Sequence, residues 1–205
     1  MEIINNCLSY LGMKPFAIFQ AARIILASAS SIILIGCAGT FHDVKPGAAL
    51  KPPAIRPGTL VVGEVIVEDT RVAPSEAATY VFHFRQGVQH WSTNHQAFKE
   101  VITAPSAGVP SDAIVLSGVI RDVEKGSKAA RFWVGMGAGQ ARVQGNFEIK
   151  DSAGTSLCTF MANRSYLGGV GAGGWDMLNF EDLFTKLGEV TAETTDKWLK
   201  GQKID

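Results

Sequence analysis

The stretch ARVQGNFEIKD, residues 141–151, leads through a Ser-Ala-Gly turn into TSLCTFMANRSY, residues 155–166. Small or apolar residues alternate with polar ones in the first of these: Val143, Gly145, Phe147 and Ile149. A period of two is typical of a strand with one buried face, and the turn predicts that both strands pair as a hairpin. Residues 112–125 precede them, are rich in β-branched residues, and extend the hairpin to an antiparallel meander.

The chain before the meander predicts two strands and a helix. Residues 59–69, TLVVGEVIVED, fit a largely buried strand, and residues 97–102 fit a short one. Between them, apolar residues recur at helical spacing over residues 75–95, and Ser75 is the predicted N-cap of that helix.

A second helix is predicted near the C-terminus. Asn179 is its predicted cap, with Asp182 as an imperfect capping-box partner. Its apolar stripe would cover one face of the sheet: Phe180, Leu183, Phe184, Leu187, Val190, Thr194 and Trp198. The predicted class is therefore α+β, a mostly antiparallel sheet with two main helices packed on it.

Composition excludes some classes of protein. The 205 residues suit one domain, and 19 basic against 19 acidic residues leave no surplus for binding nucleic acid through a basic face. Three cysteines, Cys7, Cys37 and Cys158, are too few and too scattered for a disulfide framework or a zinc site.

The N-terminal segment resembles a bacterial lipoprotein signal. Residues 24–35, IILASASSIILI, are too short to span a bilayer but match the apolar core of a secretory signal, with Lys14 and Arg23 before them. Leu34-Ile35-Gly36-Cys37 resembles a lipobox. That resemblance implies cleavage between Gly36 and Cys37 and covalent lipid, such as palmitate, on Cys37, with either Met1 or Met13 as the start.

The predicted organisation has three parts: a lipoprotein signal peptide at residues 1–36, a Pro-rich tether at 37–58 and a periplasmic α+β domain at 59–205. Ala38 differs from the Asp that resembles an inner-membrane retention signal, which favours the outer membrane facing the periplasm. The lipid is the only bound group predicted.

Two glycine clusters, 135–139 and 168–174, are interleaved with large apolar residues. Such loops either pack into the core of the domain itself or form an interaction surface. The residues predicted for that surface are Phe132, Trp133, Met136, Tyr166, Leu167 and Trp175.

Other motifs are assigned no chemistry. The cluster at 135–139 has a strand after it and no Lys-Ser/Thr, so it is not a phosphate loop. His83 and His90 would stand about 10 Å apart along a helix, too far to share a metal. No serine has the Gly-x-Ser-x-Gly setting of a hydrolase nucleophile.

Three segments carry a family resemblance: residues 111–157, 164–177 and 180–201. Their features are a strand containing Gly118, a Gly126-Ser127 step, the Gly-rich turn 135–139 and the D-x-x-G turn 151–154. They resemble bacterial lipoproteins of domain-of-unknown-function family 4410 (DUF4410), whose pattern is similar to curli-secretion-type and TolB N-terminal-type periplasmic domains. The resemblance extends over about residues 59–200 and implies a sheet-and-helix fold without any known catalytic residue.

The predicted function is a non-enzymatic, membrane-anchored lipoprotein that binds an envelope protein or takes part in envelope assembly. Two alternatives stay open. One is a lipid-anchored periplasmic enzyme with its site near the Gly-rich loops, and the other is a subunit of an oligomeric envelope complex, including a homo-oligomer.

Overall fold

A computed structural model describes residues 39–103, 108–127, 139–167 and 179–204. The chain divides into two compact units, Met1–Gly36 and Cys37–Asp205, and every described residue lies in the second unit. Residues of that unit form one six-stranded sheet. Neither helix among the described residues has both the length and the apolar character needed to cross a membrane.

The elements follow in this order: β1 Gly39–Ala49, β2 Thr59–Val67, α1 Pro74–Asn94, β3 Glu100–Ile102, β4 Ala113–Glu124, β5 Ala141–Asp151, β6 Ser156–Leu167 and α2 Phe180–Leu199. The strand order across the sheet is β1-β6-β5-β4-β2-β3. The β4–β5–β6 meander and the β1–β6 pair are antiparallel, whereas β2 runs parallel to β3 and β4. The predicted α+β class, with a mostly antiparallel sheet and two helices, is confirmed.

The β5–β6 hairpin is closed by the predicted turn. Asp151 Oδ1 accepts hydrogen bonds from the backbone N–H of Ala153 at 3.0 Å and of Thr155 at 2.8 Å. The Thr155 amide also lowers the pKa of Asp151. Gly154 adopts φ +88°, a conformation that a side chain disfavours. The turn therefore sets the register of the two strands.

Of the two predicted helix caps, Ser75 is wrong and Asn179 is confirmed as the N-cap residue. Helix α1 begins at Pro74 with Ala73 as N-cap, because proline lacks the N–H that a first turn would leave unpaired. The Ala73 N–H instead meets Glu76 Oε2 at 3.4 Å. Asn179 is the N-cap of α2, but its side chain makes no capping hydrogen bond. Its extended backbone alone starts the helix.

The core lies between the two helices and one face of the sheet. Tyr80, Phe84 and Val88 from α1 and the apolar stripe of α2 are buried against it. Gly87 and Gly188 let the helix backbones approach closely, because a Cβ on either would overlap a carbonyl oxygen of the opposite helix. Most of the stability of the domain should come from this packing.

The structure differs from the predicted tether at residues 39–49. These residues form β1, an edge strand paired with β6, so the folded part includes them. Proline is tolerated at Pro46 because an edge strand has one side without ladder partners. The pairing shifts register between Pro46 and Ala49, where the Ala48 N–H donates to Thr159 Oγ1 at 3.0 Å.

Candidate functional site

Four strand ends meet at one end of the sheet, which we name the loop end. Gly39 at the start of β1 pairs with Leu167 at the end of β6. Ala141 at the start of β5 pairs with Tyr166, and Glu124 at the end of β4 lies opposite Arg142. The chain therefore enters β1 at the same end of the sheet at which it leaves β4 and β6.

The loop end is where both Gly-rich connections start. The β4–β5 connection leaves at Ser127 and returns at Gly139, whose carbonyl oxygen accepts the Ser127 N–H at 3.2 Å. The second connection leaves β6 at Leu167 and leads to α2. The register of the sheet thus brings both connections to one place, which the sequence pattern alone did not indicate.

Most residues predicted for an interaction surface or for lipidation lie outside the described residues: Gly36, Cys37, Phe132, Trp133, Met136 and Trp175. Leu167 lies at the last position of β6. The Tyr166 side chain is only 8% exposed and belongs to the core. Tyr166 therefore supports the loop end from inside, which corrects its predicted place on an exposed surface.

A charged cluster lies beside the loop end. Asp69 accepts hydrogen bonds from Arg71 Nε at 2.9 Å and Nη2 at 2.6 Å, and Arg71 also pairs with Asp122 at 3.0 Å. Asp122 in turn binds Arg142. The Arg71 guanidinium holds the pKa of Asp69 far below its usual range, against the effect of burial. Every carboxylate of this cluster is therefore committed to a cation.

Asp69 also has a structural task that the sequence did not reveal. Its Oδ2 accepts the backbone N–H of Val123 at 2.8 Å, just after the register of β4 against β5 shifts between Ile120 and Asp122. A bulge leaves an amide without its ladder partner, and a buried unpaired amide is costly. The sequence pattern that could have revealed this task is Asp69-x-Arg71 directly after a strand. An Asp and an Arg two residues apart are common in surface turns, so the pattern is not specific.

A shallow groove of about 870 Å³ crosses the sheet face that the helices leave open. Side chains alternate along a strand, so its lining comes from residues between the core positions. One transverse row runs through five paired strands: Lys45, Met161, Asn146, Val119 and Ile66. Met161, Val119 and Ile66 give this row apolar positions on either side of Asn146, while Glu64, Ser117, Glu148, Lys150 and Thr159 add polar groups.

The charged groups of this groove suit binding better than catalysis. Lys150 Nζ lies 3.0 Å from Glu148 Oε2. Ser156 and Lys150 lower the pKa of Glu148, so this carboxylate is ionised at neutral pH and paired with a cation. A general acid needs the opposite shift, toward the working pH.

His90 in α1 and His95, which follows the helix, have ordinary partners. His90 Nδ1 lies 3.3 Å from Glu189 Oε1, and His95 stacks on Trp91 with ring centroids 4.3 Å apart. Within residues 39–103, 108–127, 139–167 and 179–204, no three His, Cys, Asp or Glu side chains are grouped to hold a metal ion.

No curated protein sequence matches the chain. Two similar solved structures are PelC dodecamers from Paraburkholderia phytofirmans, one of them a single-substitution variant. The variant is 16% identical and covers 78% of this chain and 98% of its own, with a TM-score of 0.43. The other is 17% identical, covers 74% and 95%, and has a TM-score of 0.44. Residues 93–170, from the end of α1 through β6, match the family described as "Domain of unknown function (DUF4410)", which confirms the family resemblance over that range.

Proposed function

We propose that this chain is a lipid-anchored protein of the bacterial envelope, and that it acts as a non-enzymatic binding module with its loop end against the membrane. The observation that carries the proposal is the pairing of Gly39 with Leu167. Cys37, the proposed lipid-bearing residue, precedes Gly39 by two residues. Two residues span at most about 7 Å.

Such a short link would bring the lipid and the loop end to the same side of the domain. Both Gly-rich connections begin there, and they include Trp133 and Trp175. Tryptophan favours the boundary between apolar and aqueous phases, because its ring is apolar and its N–H is polar. The connections would therefore contact the headgroup region beside the lipid.

The anchor itself follows from the chemistry of lipidated proteins. Stable attachment takes more than one acyl chain, each buried methylene contributing about 0.8 kcal/mol. The lipobox resemblance implies a mature form with three chains on Cys37. Ala38 supports the outer membrane, with the domain facing the periplasm. An envelope protein would then be the partner of the open-face groove.

An enzyme remains the alternative function. Its site would lie near the loop end, where the Asp69–Arg71–Asp122 cluster provides the nearest charged groups. A proton-transferring group would need a pKa near the working pH, but the pKa of Asp69 is shifted far below that range. The cluster therefore favours the binding module.

Two measurements test the proposal. Cys37→Ser should leave the precursor uncut and unlabelled by radioactive palmitate, and palmitate on that variant would refute the lipid anchor. The wild-type lipoprotein is then placed in vesicles of bilayer lipids that carry a fluorescence quencher. In the double variant Trp133→Phe with Trp175→Phe, most of the quenching of tryptophan fluorescence by the vesicles should be lost.

Trp91→Phe is the matched control, since Trp91 lies on α1 and stacks on His95. It should leave the quenching unchanged. Equal quenching in the double variant and in wild type would contradict the proposed orientation. Light scattering on the detergent-solubilised lipoprotein tests the remaining alternative, a homo-oligomer, which a monomer would exclude.

A further inference from the structure

Strand β1 is joined to the domain by few side chains. It lies at the edge of the sheet and pairs only with β6. Among residues 42–49, Val44 alone is buried, while the side chains of Asp43 and Lys45 are 56% and 66% exposed. Strand β5, in the middle of the sheet, instead buries every second residue from Ala141 to Ile149.

The segment that follows β1 is bonded both to β6 and to α2, whereas β1 pairs with β6. The Leu50 N–H donates to the carbonyl of Leu157 at 2.8 Å, and the Leu50 carbonyl accepts Trp198 Nε1 at 3.2 Å. Arg56 binds the buried carboxylate of Asp196. We name four residues the clasp: Leu50 and Arg56 from the segment after β1, and Asp196 and Trp198 from α2.

Two further contacts fix Arg56 in the clasp. Its Nη2 donates to the carbonyl of Ala97 at 2.7 Å, and its guanidinium carbon lies 5.7 Å from the centre of the Phe98 ring. Lys200 Nζ approaches the second oxygen of Asp196 at 2.6 Å. The clasp therefore ties the chain after β1 to α2 and to the segment before β3.

The register shift between Pro46 and Ala49 separates the regular part of β1 from the segment that the clasp holds. Pairing along β1 is regular from Gly39 to Pro46 and resumes only at Ala49. The residues between them are held through Thr159, whose Oγ1 contacts both the N–H and the carbonyl of Ala48. A strand that loses its ladder there can leave without disturbing the clasp.

We propose that residues 39–48 form a releasable anchor strand, which detaches from β6 as one unit while the clasp and the rest of the domain stay folded. With the strand docked, Cys37 precedes the paired residue Gly39 by two positions. Released, the strand frees the chain up to Leu50, which can reach about 40 Å.

Release of the strand changes the distance between the domain and the membrane only if the proposed lipid anchor is present on Cys37. With the lipid on Cys37, the docked strand would hold the loop end at the bilayer, and the released strand would let the open face meet a partner farther away. Release itself is a property of the domain and is measured without the membrane.

Hydrogen exchange on the purified full chain tests the release. Among residues 42–45, the amides that face β6 should exchange at one common rate, about 100-fold or more faster than those of β5, with the Leu50 amide remaining protected. A gradient that rises toward Gly39 would mean simple fraying and would overturn the proposal. Rates equal to those of β5 would overturn it as well.

A disulfide variant provides the second arm. Asp43 and Asn163 are cross-strand partners, so Asp43→Cys with Asn163→Cys can join β1 to β6. Oxidation should slow exchange of the amides of residues 42–45 that face β6 toward the rate of β5, and reduction should restore it. Unchanged fast exchange in the oxidised form would contradict release as one unit. Failure of palmitate labelling at Cys37 would refute the anchor alone and leave these results intact.

Discussion

Gly87 of α1 and Gly188 of α2 face each other's helix at the point where the two helices are closest. A Cβ on Gly87 would overlap the carbonyl oxygen of Thr185, and one on Gly188 would overlap that of Phe84. The two glycines therefore set the distance between the helices.

We expect Gly188→Ala to destabilise the domain. The added methyl meets backbone, which cannot move aside, and overpacking costs about 1–3 kcal/mol, partly offset by the better helix propensity of alanine. Urea unfolding measures the change. Gly108→Ala is the control, because no atom of the described residues lies within 4 Å of a Cβ there, and it should change stability by less than about 0.5 kcal/mol. Equal effects of the two would contradict the close crossing.

Asp69→Asn should lower stability at neutral pH and flatten its acid dependence. The pKa of Asp69 is depressed in the folded state by Arg71, so its contribution is present above the unfolded pKa of about 3.9 and is lost as the pH falls below that value. The amide can still accept the Val123 N–H, so the loss should be about 1–3 kcal/mol. Unfolding curves between pH 7 and pH 3 measure it.

The control for Asp69 is Asp43→Asn, because Asp43 is exposed on β1. It should leave both the stability and its acid dependence close to wild type. An Asp69→Asn curve that runs parallel to wild type from pH 7 to pH 3 would show that Asp69 is not the group responsible.

Arg56→Gln should destabilise the domain through the clasp. Asp196 has a side chain only 7% exposed, and removing one partner of a buried pair is strongly unfavourable, although Lys200 remains to compensate part of the charge. We expect a loss of about 2 kcal/mol and faster hydrogen exchange at residues 50–58. Lys197→Gln, which breaks only the Lys197–Glu193 surface pair, should cost at most about 0.5 kcal/mol.

Cys158 should be inert in the folded protein. It is fully buried in β6, and burial raises the pKa of its thiol to about 11. Because the thiolate is the reactive form, iodoacetamide at pH 8 should leave the peptide containing Cys158 unmodified until denaturant is added. Modification of folded protein within minutes would mean that β6 opens locally.

The sequence predicted those elements that local pattern determines. The alternation from Val143 to Ile149 and the Asp151 turn define a hairpin without help from the rest of the chain. Strand β1 carries no such pattern, because Val44 is its one buried side chain among residues 42–49 and Pro46 argues against a strand. Its pairing with β6 is a long-range event that composition does not encode.

The candidate site shows the same division. Apolar residues between glycines predicted an interaction surface on the two connections, which stays a prediction, and strand register brings the ends of these connections to the loop end. The cluster around Asp69 was missed because Arg71 is adjacent in sequence while Asp122 and the Val123 amide belong to another strand. Register and bulge position are properties of the whole sheet.

Under the export that the proposed lipid anchor requires, the order of the strands has a consequence for folding. Strand β1 comes first, but its only partner, β6, follows four other strands and a helix. A chain that crosses the inner membrane from its N-terminus would thus present residues 39–49 as unpaired polypeptide until translocation is almost complete. Under the proposed lipidation, enzymes that process Cys37 would act during that interval on an extended substrate. The interval would end when β1 pairs with β6.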